Sequence, residues 1–452
     1  MDYFNNIGSN WFGYIEIKVM NTKLNFFSKK KILIYGLGKS GVSAFQFLKK
    51  KNDVSLFDDF NLKLYKSKIK KKIIDYKKLL NSTFDFIILS PGIDIKRCKL
   101  SKFLKKNYEK IYSDLDVFYT HFNNVCVTVT GTNGKSTTCQ LLYEVLRDQN
   151  FDVRLVGNIG NPILSSKNIN KKTILIVEAS SYQLEYSKIF KSKYAVILNL
   201  SPDHIERHGT LDNYIKSKFK LLKNQTNGCL AFLKKNDSLI SKELRGNKFS
   251  SKIIKDDTGK KSIFLKKISN KYFSTETNKE NLLFVLEILK KLKIKKNLLL
   301  KTIQNFKGLK FRQQIIFEKK NLTIINDSKS TSFSSSLSLL KKYQNIHWIL
   351  GGIHKKEDKL ILSKKYFNKI NAYVYGKDNN FFTKNLKGKI KYEIFKNLKD
   401  AIKKVLEITK KNGLINQTIL FSPSAASFDT FKNFEDRGYY FNKLVKKHLH
   451  GK

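Results

Sequence analysis

Apolar runs of strand length alternate with amphipathic stretches along the whole chain, the pattern of an α/β protein. In the first third, KILIYG (31–36) reads as a buried strand. The turn GLGKSG (36–41) follows it, and then a helix to about Lys50. VSLFDD (54–59) and FDFIILS (84–90) are further strands, the second closed by the Pro-Gly turn SPG (90–92). A second group starts near Asp114. VCVTVT (125–130) is a strand, GTNGKST (131–137) the loop after it, and a helix then runs to about Gln149. TILIVEAS (173–180) and YAVILNL (194–200) are buried strands, and NKENLLFVLEILKKL (278–292) is a helix. In the last group LTIIND (322–327), IHWILGG (346–352), AYVYG (372–376) and TILFS (418–422) read as strands with helices between them. No internal repeat stands out. Each group has its own strands, which predicts three small α/β domains.

Composition bounds the picture. The chain has 452 residues, enough for two to four domains, and 41% are hydrophobic, enough for several ordinary cores. Lys and Arg number 88 against 37 Asp and Glu, a formal charge of +51. Such a balance raises the idea of a nucleic-acid partner. The charge is spread from end to end, however, and no RRM, zinc-finger or helix-turn-helix signature accompanies it. Lys, Asn, Ile, Phe and Tyr are plentiful while Pro (4) and Trp (2) are scarce, the usage of an AT-rich genome. Lysines such as Lys68, Lys70, Lys71 and Lys72 are then solvated surface. A positive field still favours anionic substrates and makes their binding salt-sensitive. Cys98, Cys126, Cys139 and Cys229 form no CxxC pair, which argues against a disulfide framework or a zinc site and for a reducing compartment. No apolar run reaches ~18 residues, so no membrane-spanning helix is expected. Residues 1–19 lack a signal-peptide layout and are expected to be a dispensable extension or to precede the true start at Met20.

GTNGKST is the strongest chemical signal. Between a strand and a helix, its backbone N–H groups can cradle phosphates, and the helix N-terminus adds partial positive charge. Lys135 then reaches the terminal phosphates and the Ser136 hydroxyl faces Mg²⁺. The strict Walker pattern wants glycine where Val129 stands. GLGKSG (Gly36, Gly38, Gly41) fits a dinucleotide fingerprint, with Asp58 near the spacing of a ribose-binding acid, and SPG suggests a second edge of that pocket. Glu178 sits at the end of one predicted strand, and Asp203 and His204 just past another. In an open parallel sheet those ends share one crevice with the phosphate loop, and hard oxygen ligands there suit Mg²⁺.

Together these motifs resemble the Mur ligase family. TGTNGKST (130–137) has that family's variant loop, and the glutamate strand, the Asp-His pair and NDSK (326–329) come in its order from about residue 30 to the C-terminus. SPG (90–92), GNIG (157–160), SSYQLE (180–185), NDSKSTS (326–332) and SPSAASFDTFKNFEDRG (422–438) match its D-glutamate-adding branch. No DNPR-like motif and no GTHGKT loop, the marks of other branches, is present. Two stretches depart from the branch: Lys310 and Phe311 stand where it has Pro-His before the shared Arg312, and Thr277 replaces a histidine.

The resemblance implies a Rossmann-like N-terminal domain (30–113) that binds a UDP-sugar substrate. It implies a central P-loop-type mononucleotide-binding domain with a mostly parallel sheet (114–308) that binds ATP. A C-terminal Rossmann-like α/β domain (309–452) contacts D-glutamate and ATP, and residues 1–29 form an N-terminal extension. It implies an ATP-dependent cytoplasmic ligase, with Mg²⁺, that joins D-glutamate to UDP-N-acetylmuramoyl-L-alanine through an acyl phosphate in peptidoglycan precursor synthesis. The expected enzyme is a monomer with neither nucleic acid nor membrane insertion. Lys39, Ser40, Asp58, Ser90, Gly92 and Asn158 would hold the UDP substrate. Gly131, Thr132, Asn133, Gly134, Lys135, Ser136, Thr137, Asn278, Asn281, Arg312 and Asp327 would hold ATP. Lys329, Thr331, Lys355, Ser427 and Phe434 would hold D-glutamate. Ser136, Glu178, His204 and a carbamylated Lys218 would organise the metal, and Lys135, Asn158, His204 and Lys218 form the catalytic set. Three other readings remain at this point: a nucleotide-dependent oxidoreductase built on GLGKSG, a nucleic-acid-binding NTPase built on the charge, and another Mur ligase using a different amino acid.

Overall fold

The computed structural model describes residues 26–60, 67–256, 265–292, 294–319, 321–355, 358–411 and 416–450. They form three α/β domains, each around one sheet. The first sheet holds β1 (Lys31–Tyr35), β2 (Asp53–Phe57), β3 (Phe86–Leu89) and β4 (Ile111–Tyr112) in the order β2-β1-β3-β4. Its strands are all parallel. The central sheet holds β5 (Cys126–Thr130), β6 (Val153–Gly157), β7 (Ile174–Glu178), β8 (Tyr194–Ile197), β9 (Leu230–Lys234) and β10 (Lys252–Asp256). Its order is β10-β9-β8-β5-β7-β6, again parallel throughout. The third sheet holds β11 (Gln314–Lys319), β12 (Leu322–Asn326), β13 (Ile346–Gly351), β14 (Ile370–Tyr375), β15 (Lys391–Phe395) and β16 (Gln417–Phe421). Its order is β11-β12-β16-β13-β14-β15, with β11 alone antiparallel to its neighbour.

Parallel strands connected by helices are covered on both faces, so both sides of each strand are apolar. Along β1, Ile32 and Ile34 enter one core and Leu33 and Tyr35 another. Along β5, Val127 and Val129 face one core and Cys126 the other. Six helices matter for the site: α1 (Lys39–Leu48), α2 (Lys135–Asp148), α3 (Leu211–Lys223), α4 (Glu276–Leu289), α5 (Phe333–Lys342) and α6 (Phe434–His450). α2 packs on β5, β6 and β7 and against α4. Residues 1–25 lie outside the described residues, so the reading of 1–19 does too. The extension assigned to 1–29 ends earlier than expected. Phe26 and Phe27 stack on Phe86 and Tyr112 with ring centroids 4.8–5.7 Å apart, which seals the bottom of the first core.

In each parallel sheet the loops at the carboxyl ends of neighbouring strands open on one side, where the connections diverge to opposite faces. The loops after β1 and β3, after β5, β7 and β8, and after β12, β13 and β16 all converge on one cleft between the three domains.

Candidate functional site

The cleft has a volume of about 1180 Å³. Lys39, Ser40, Asp58, Ser90 and Gly92 reach it from the first domain. From the central domain come Thr132 to Thr137, Asn158, Glu178, His204, Lys218, Asn278 and Asn281, and from the third Arg312, Asp327, Lys329, Thr331 and Lys355. Three expected residues are not on its wall. Gly131 lies behind it and presents a carbonyl. Ser427 is buried with 3% of its surface exposed. Phe434 lies beneath Lys329, whose Nζ stands 3.9 Å from the ring centroid.

The phosphate loop is held open from below. Thr132 N–H donates to the Asn199 carbonyl and Asn133 N–H to Asn199 Oδ1, at 2.9 and 2.8 Å. Gly134 is left-handed at φ 86°, and a Cβ there would stand 2.2 Å from Asn281 Oδ1, so only glycine lets α4 approach the loop. Asn281 and Asn278 are buried on α4, and Asn278 Nδ2 donates to Gln313 Oε1 at 3.0 Å, a link from central to third domain. Lys135 Nζ donates to the carbonyls of Gly131 and Thr132, both at 2.9 Å. It thus folds over the loop it belongs to. Burial lowers its pKa, opposed by Glu178 and Asp203.

Glu178 ends β7 with 1% of its surface exposed. Its Oε1 accepts from Asn158 Nδ2 at 2.7 Å, while its buried Oε2 has no hydrogen-bond partner among the described residues. An orphaned carboxylate oxygen beside a phosphate loop is the donor a hard cation takes, so the residues fit Mg²⁺. Lys218, on α3, is 2% exposed. Its Nζ donates to the Gly131 carbonyl at 2.9 Å and stands 4.7 Å from the Tyr214 ring centroid. Burial, and then Lys135, hold its pKa well below the ordinary value. His204 is left-handed at φ 56°, and its Nδ1 lies 2.9 Å from the Tyr182 hydroxyl. Its Nε2 is 3.5 Å from Asp203. Asp203 also forms an ion pair with Lys355 of the third domain. Burial opposes ionisation of Asp203, and Lys355 and His204 outweigh it, so its pKa lies below the ordinary value.

In the first domain Asp58 accepts backbone N–H groups from Leu37 and, at 2.9 Å, from Phe60. Its carboxylate shapes the glycine turn. Gly41 lets α1 start against that turn, since a Cβ there would stand 1.8 Å from the Gly36 carbonyl oxygen. In the third domain Asp327 accepts from Gln313 N–H at 3.0 Å and from Ser422 Oγ at 2.8 Å. Burial raises its pKa to about 7. Burial, with Arg312 adding to it, lowers Lys329 to about 8.

The cleft also gathers residues that sequence reasoning missed: Phe60, Tyr182, Tyr272, Gln313, His354, Phe428 and the serines 330, 332, 334 and 335. Phe60 and Phe428, 78% and 72% exposed, stand out as aromatic rings left in solvent on a cavity wall. Their neighbours Asp58 and Ser427 had been singled out, so adjacency was the available signal. The two departures have places as well. Phe311 is 2% exposed, left-handed at φ 61° and packed edge-on to Tyr439 at 4.7 Å, a packing residue behind the wall. Thr277 lines the cleft.

Residues 129–300 match the family model of the Mur ligase middle domain, and residues 30–111 that of the Mur ligase MurD-like N-terminal domain. UDP-N-acetylmuramoylalanine--D-glutamate ligase of Rickettsia felis is 34% identical over 94% of this chain and 99% of its own length. The enzyme of the same name from Francisella tularensis is 32% identical over 92% and 95%. Among solved structures, MurF ligase from Thermotoga maritima in complex with ADP aligns with a TM-score of 0.56 at 16% identity, covering 94% of this chain and 96% of that one. UDP-N-acetylmuramate-alanine ligase MurC from Thermotoga maritima aligns at 0.54 and 17%, over 94% and 100%. These structures share the fold.

Proposed function

The chain belongs to the Mur ligase family, and from that premise we propose that it joins D-glutamate to UDP-N-acetylmuramoyl-L-alanine at the expense of ATP, in peptidoglycan precursor synthesis. The observation that carries this reading is the convergence of three chemistries in one cleft. A phosphate loop and a buried carboxylate oxygen without a partner come from the central domain, and a wall with Lys329 and Lys355 from the third. The oxidoreductase reading leaves that loop and that carboxylate without a task. We place the domain divisions at 30–113, 114–308 and 309–452, and the reaction in the cytoplasm on a monomer.

A free carboxylate does not acylate an amine at neutral pH, because its leaving group is poor. The first domain presents the L-alanyl carboxylate of the UDP substrate, with Lys39, Ser40, Ser90 and Gly92 on its side of the cleft and Asp58 fixing the turn. The carboxylate oxygen attacks the γ-phosphorus in line, the O–P bond to ADP breaks, and an acyl phosphate forms. Lys135 and the loop N–H groups offset the charge spread over the phosphoryl oxygens. Ser136, Glu178 and His204 would hold Mg²⁺, which would supply further neutralisation there. Asn158 orients Glu178. Lys218, if carbamylated, would add an oxygen donor to that set in place of a repelled cation. Asn278, Asn281, Arg312 and Asp327 take the rest of the nucleotide. Lys329, Thr331 and Lys355 take D-glutamate, with Ser427 and Phe434 supporting them from behind. The unprotonated amine attacks the acyl carbon, the C–N bond forms and phosphate leaves. Exclusion of water protects the acyl phosphate meanwhile.

Phosphate release tests this directly. With ATP, Mg²⁺ and UDP-N-acetylmuramoyl-L-alanine, D-glutamate is expected to support turnover and L-glutamate or other amino acids are not. Equal release with and without D-glutamate defeats the reading.

A further inference from the structure

His354 follows β13 in the third domain and lines the cleft, with 33% of its side chain exposed. Its neighbours fix the ring. Asp378, in the loop after β14, lies 2.9 Å from His354 Nδ1, and the same carboxylate oxygen accepts the His354 backbone N–H at 3.3 Å. Phe381, on the helix Asn379–Leu386, stacks on the imidazole with centroids 4.0 Å apart and planes 14° apart. Phe381 stacks in turn on Phe333, the first residue of α5, at 5.9 Å and 17°. The stack ties His354 to the Thr331 end of the amino-acid wall, while the next residue, Lys355, reaches across to Asp203.

A carboxylate only accepts, so Nδ1 carries the hydrogen of that bond. A neutral imidazole then keeps its lone pair on Nε2. Nε2 is not buried and has no hydrogen-bond partner among the described residues. D-Glutamate arrives with an ammonium, which has no lone pair for attack until a base takes a proton. Two histidines stand on the cleft wall, His204 and His354. His204 has both nitrogens engaged, Nδ1 with the Tyr182 hydroxyl at 2.9 Å and Nε2 with Asp203 at 3.5 Å, and it is assigned to the metal. His354 has one nitrogen to spare, on the wall that carries Lys355.

We propose that His354 is the general base of the second step, taking a proton from the D-glutamate ammonium on Nε2, with Asp378 fixing its tautomer and offsetting its charge. The proposal rests on the ligase reading above and deepens it. An N–H bond of the ammonium breaks and its proton goes to Nε2. The freed electron pair forms the C–N bond at the acyl carbon, and the C–O bond to phosphate breaks. The departing phosphate takes the second nitrogen proton, and the imidazolium returns its own to solvent. Asp378 stabilises that imidazolium as the buried acid of a carboxylate–histidine pair does. Among the described residues, the loops and helix that hold the ring carry these charged groups: Lys355, paired with Asp203; Asp358, which accepts the Phe333 N–H at 2.8 Å; Lys377; Asp378; and Lys384.

The test compares the full-length wild type with His354→Ala and His354→Gln in two assays, each with ATP, Mg²⁺ and UDP-N-acetylmuramoyl-L-alanine. In the first, D-glutamate-dependent phosphate release is followed from neutral to alkaline pH. Both variants are expected to lose about 10²-fold in kcat at neutral pH, the lower end of what a positioned base contributes, with KM for every substrate within about twofold of wild type. The deficit should shrink as pH rises, because more D-glutamate then arrives as the free amine. In the second assay hydroxylamine replaces D-glutamate. It is unprotonated at neutral pH and needs no base, so it should trap the acyl phosphate as a hydroxamate equally fast in all three proteins. An unchanged kcat, a loss confined to the KM for D-glutamate, a deficit that does not narrow with pH, or an equal loss of hydroxamate overturns the proposal. If His354→Ala fails to melt cooperatively, His354→Gln, whose amide can still donate to Asp378, decides alone. A wild type that gives neither D-glutamate-dependent phosphate release nor hydroxamate would instead overturn the ligase reading.

Discussion

Lys218 sits where a cation is least welcome. Its amine is 2% exposed, shares the Gly131 carbonyl with Lys135, and lies in the same cleft as the pair of carboxylates Glu178 and Asp203. An ammonium there pays for desolvation and repels both Lys135 and any metal. A lowered pKa is also what primes a lysine amine to add CO2. Replacing Lys218 with Ala is therefore expected to lower turnover by at least about 10²-fold, the scale of losing one preorganised electrostatic group. Lys218→Arg, with a charge that cannot be discharged, should do no better. Phosphate release by both variants, with the intact mass of the wild type read for a CO2 adduct, checks this. Near-normal turnover of Lys218→Ala would remove the residue from the catalytic set.

At the scale of elements, one buried side chain organises the third-domain loops. Arg437, on α6, is fully buried and donates to the Ser328 carbonyl at 2.7 Å, the Ser328 hydroxyl at 3.1 Å and the Ala425 carbonyl at 2.9 Å. It ties the loop after β12 to the loop after β16, and Gly438 beside it leaves room for Phe311. Arg437→Ala is expected to destabilise the domain by about 3–5 kcal/mol, the cost of breaking a buried charged network. A melting temperature within a degree of wild type would refute this. The long motif ending in FEDRG is thus partly scaffold. The interior strands β1, β5, β7, β8, β12, β13, β14 and β16 were legible because coverage on both faces demands continuous apolar runs. The strands not read were β4, β6, β10, β11 and β15, each at a sheet edge and most broken by charges such as Arg154, Lys255 or Glu393, together with β9 inside the central sheet. An edge strand is held by backbone pairing on one side and needs little apolar signal. The site divides similarly. Its strand-end loops were readable as local motifs. Pairings such as Lys355 with Asp203, 152 residues apart, exist only once the domains are assembled.

The whole molecule joins its domains by two kinds of seam. Between the first and central domains the seam has a buried centre. Arg207, 8% exposed, donates to the Ile93 carbonyl and the Tyr186 hydroxyl, both at 2.6 Å, and Tyr186 itself donates to the Ile93 carbonyl at 2.8 Å. Between the central and third domains close links in the cleft, Lys355 with Asp203 and Asn278 with Gln313, are joined by exposed pairs at the rim. Lys271 pairs with Glu318 at 3.0 Å with side chains 68% and 41% exposed, and Lys341 with Glu276 at 3.6 Å at 41% and 67%. Exposed pairs of this kind are worth ~0–1 kcal/mol each and weaken with salt. With part of its seam made of such pairs, the third domain is the body expected to move against the other two. A formal charge of +51 opposes its approach, and anionic ligands in the cleft relieve that repulsion. Nucleotide and UDP substrate together are expected to draw the third domain inward, lowering the radius of gyration seen by X-ray scattering. Raising ionic strength should contract the ligand-free enzyme, by screening that like-charge repulsion more than it weakens the two exposed pairs, and contract the ligated one less, because the anionic ligands already offset the charge. Superimposable profiles with and without both ligands would mean that the cleft is assembled in advance, and that closure plays no part in keeping water from the acyl phosphate.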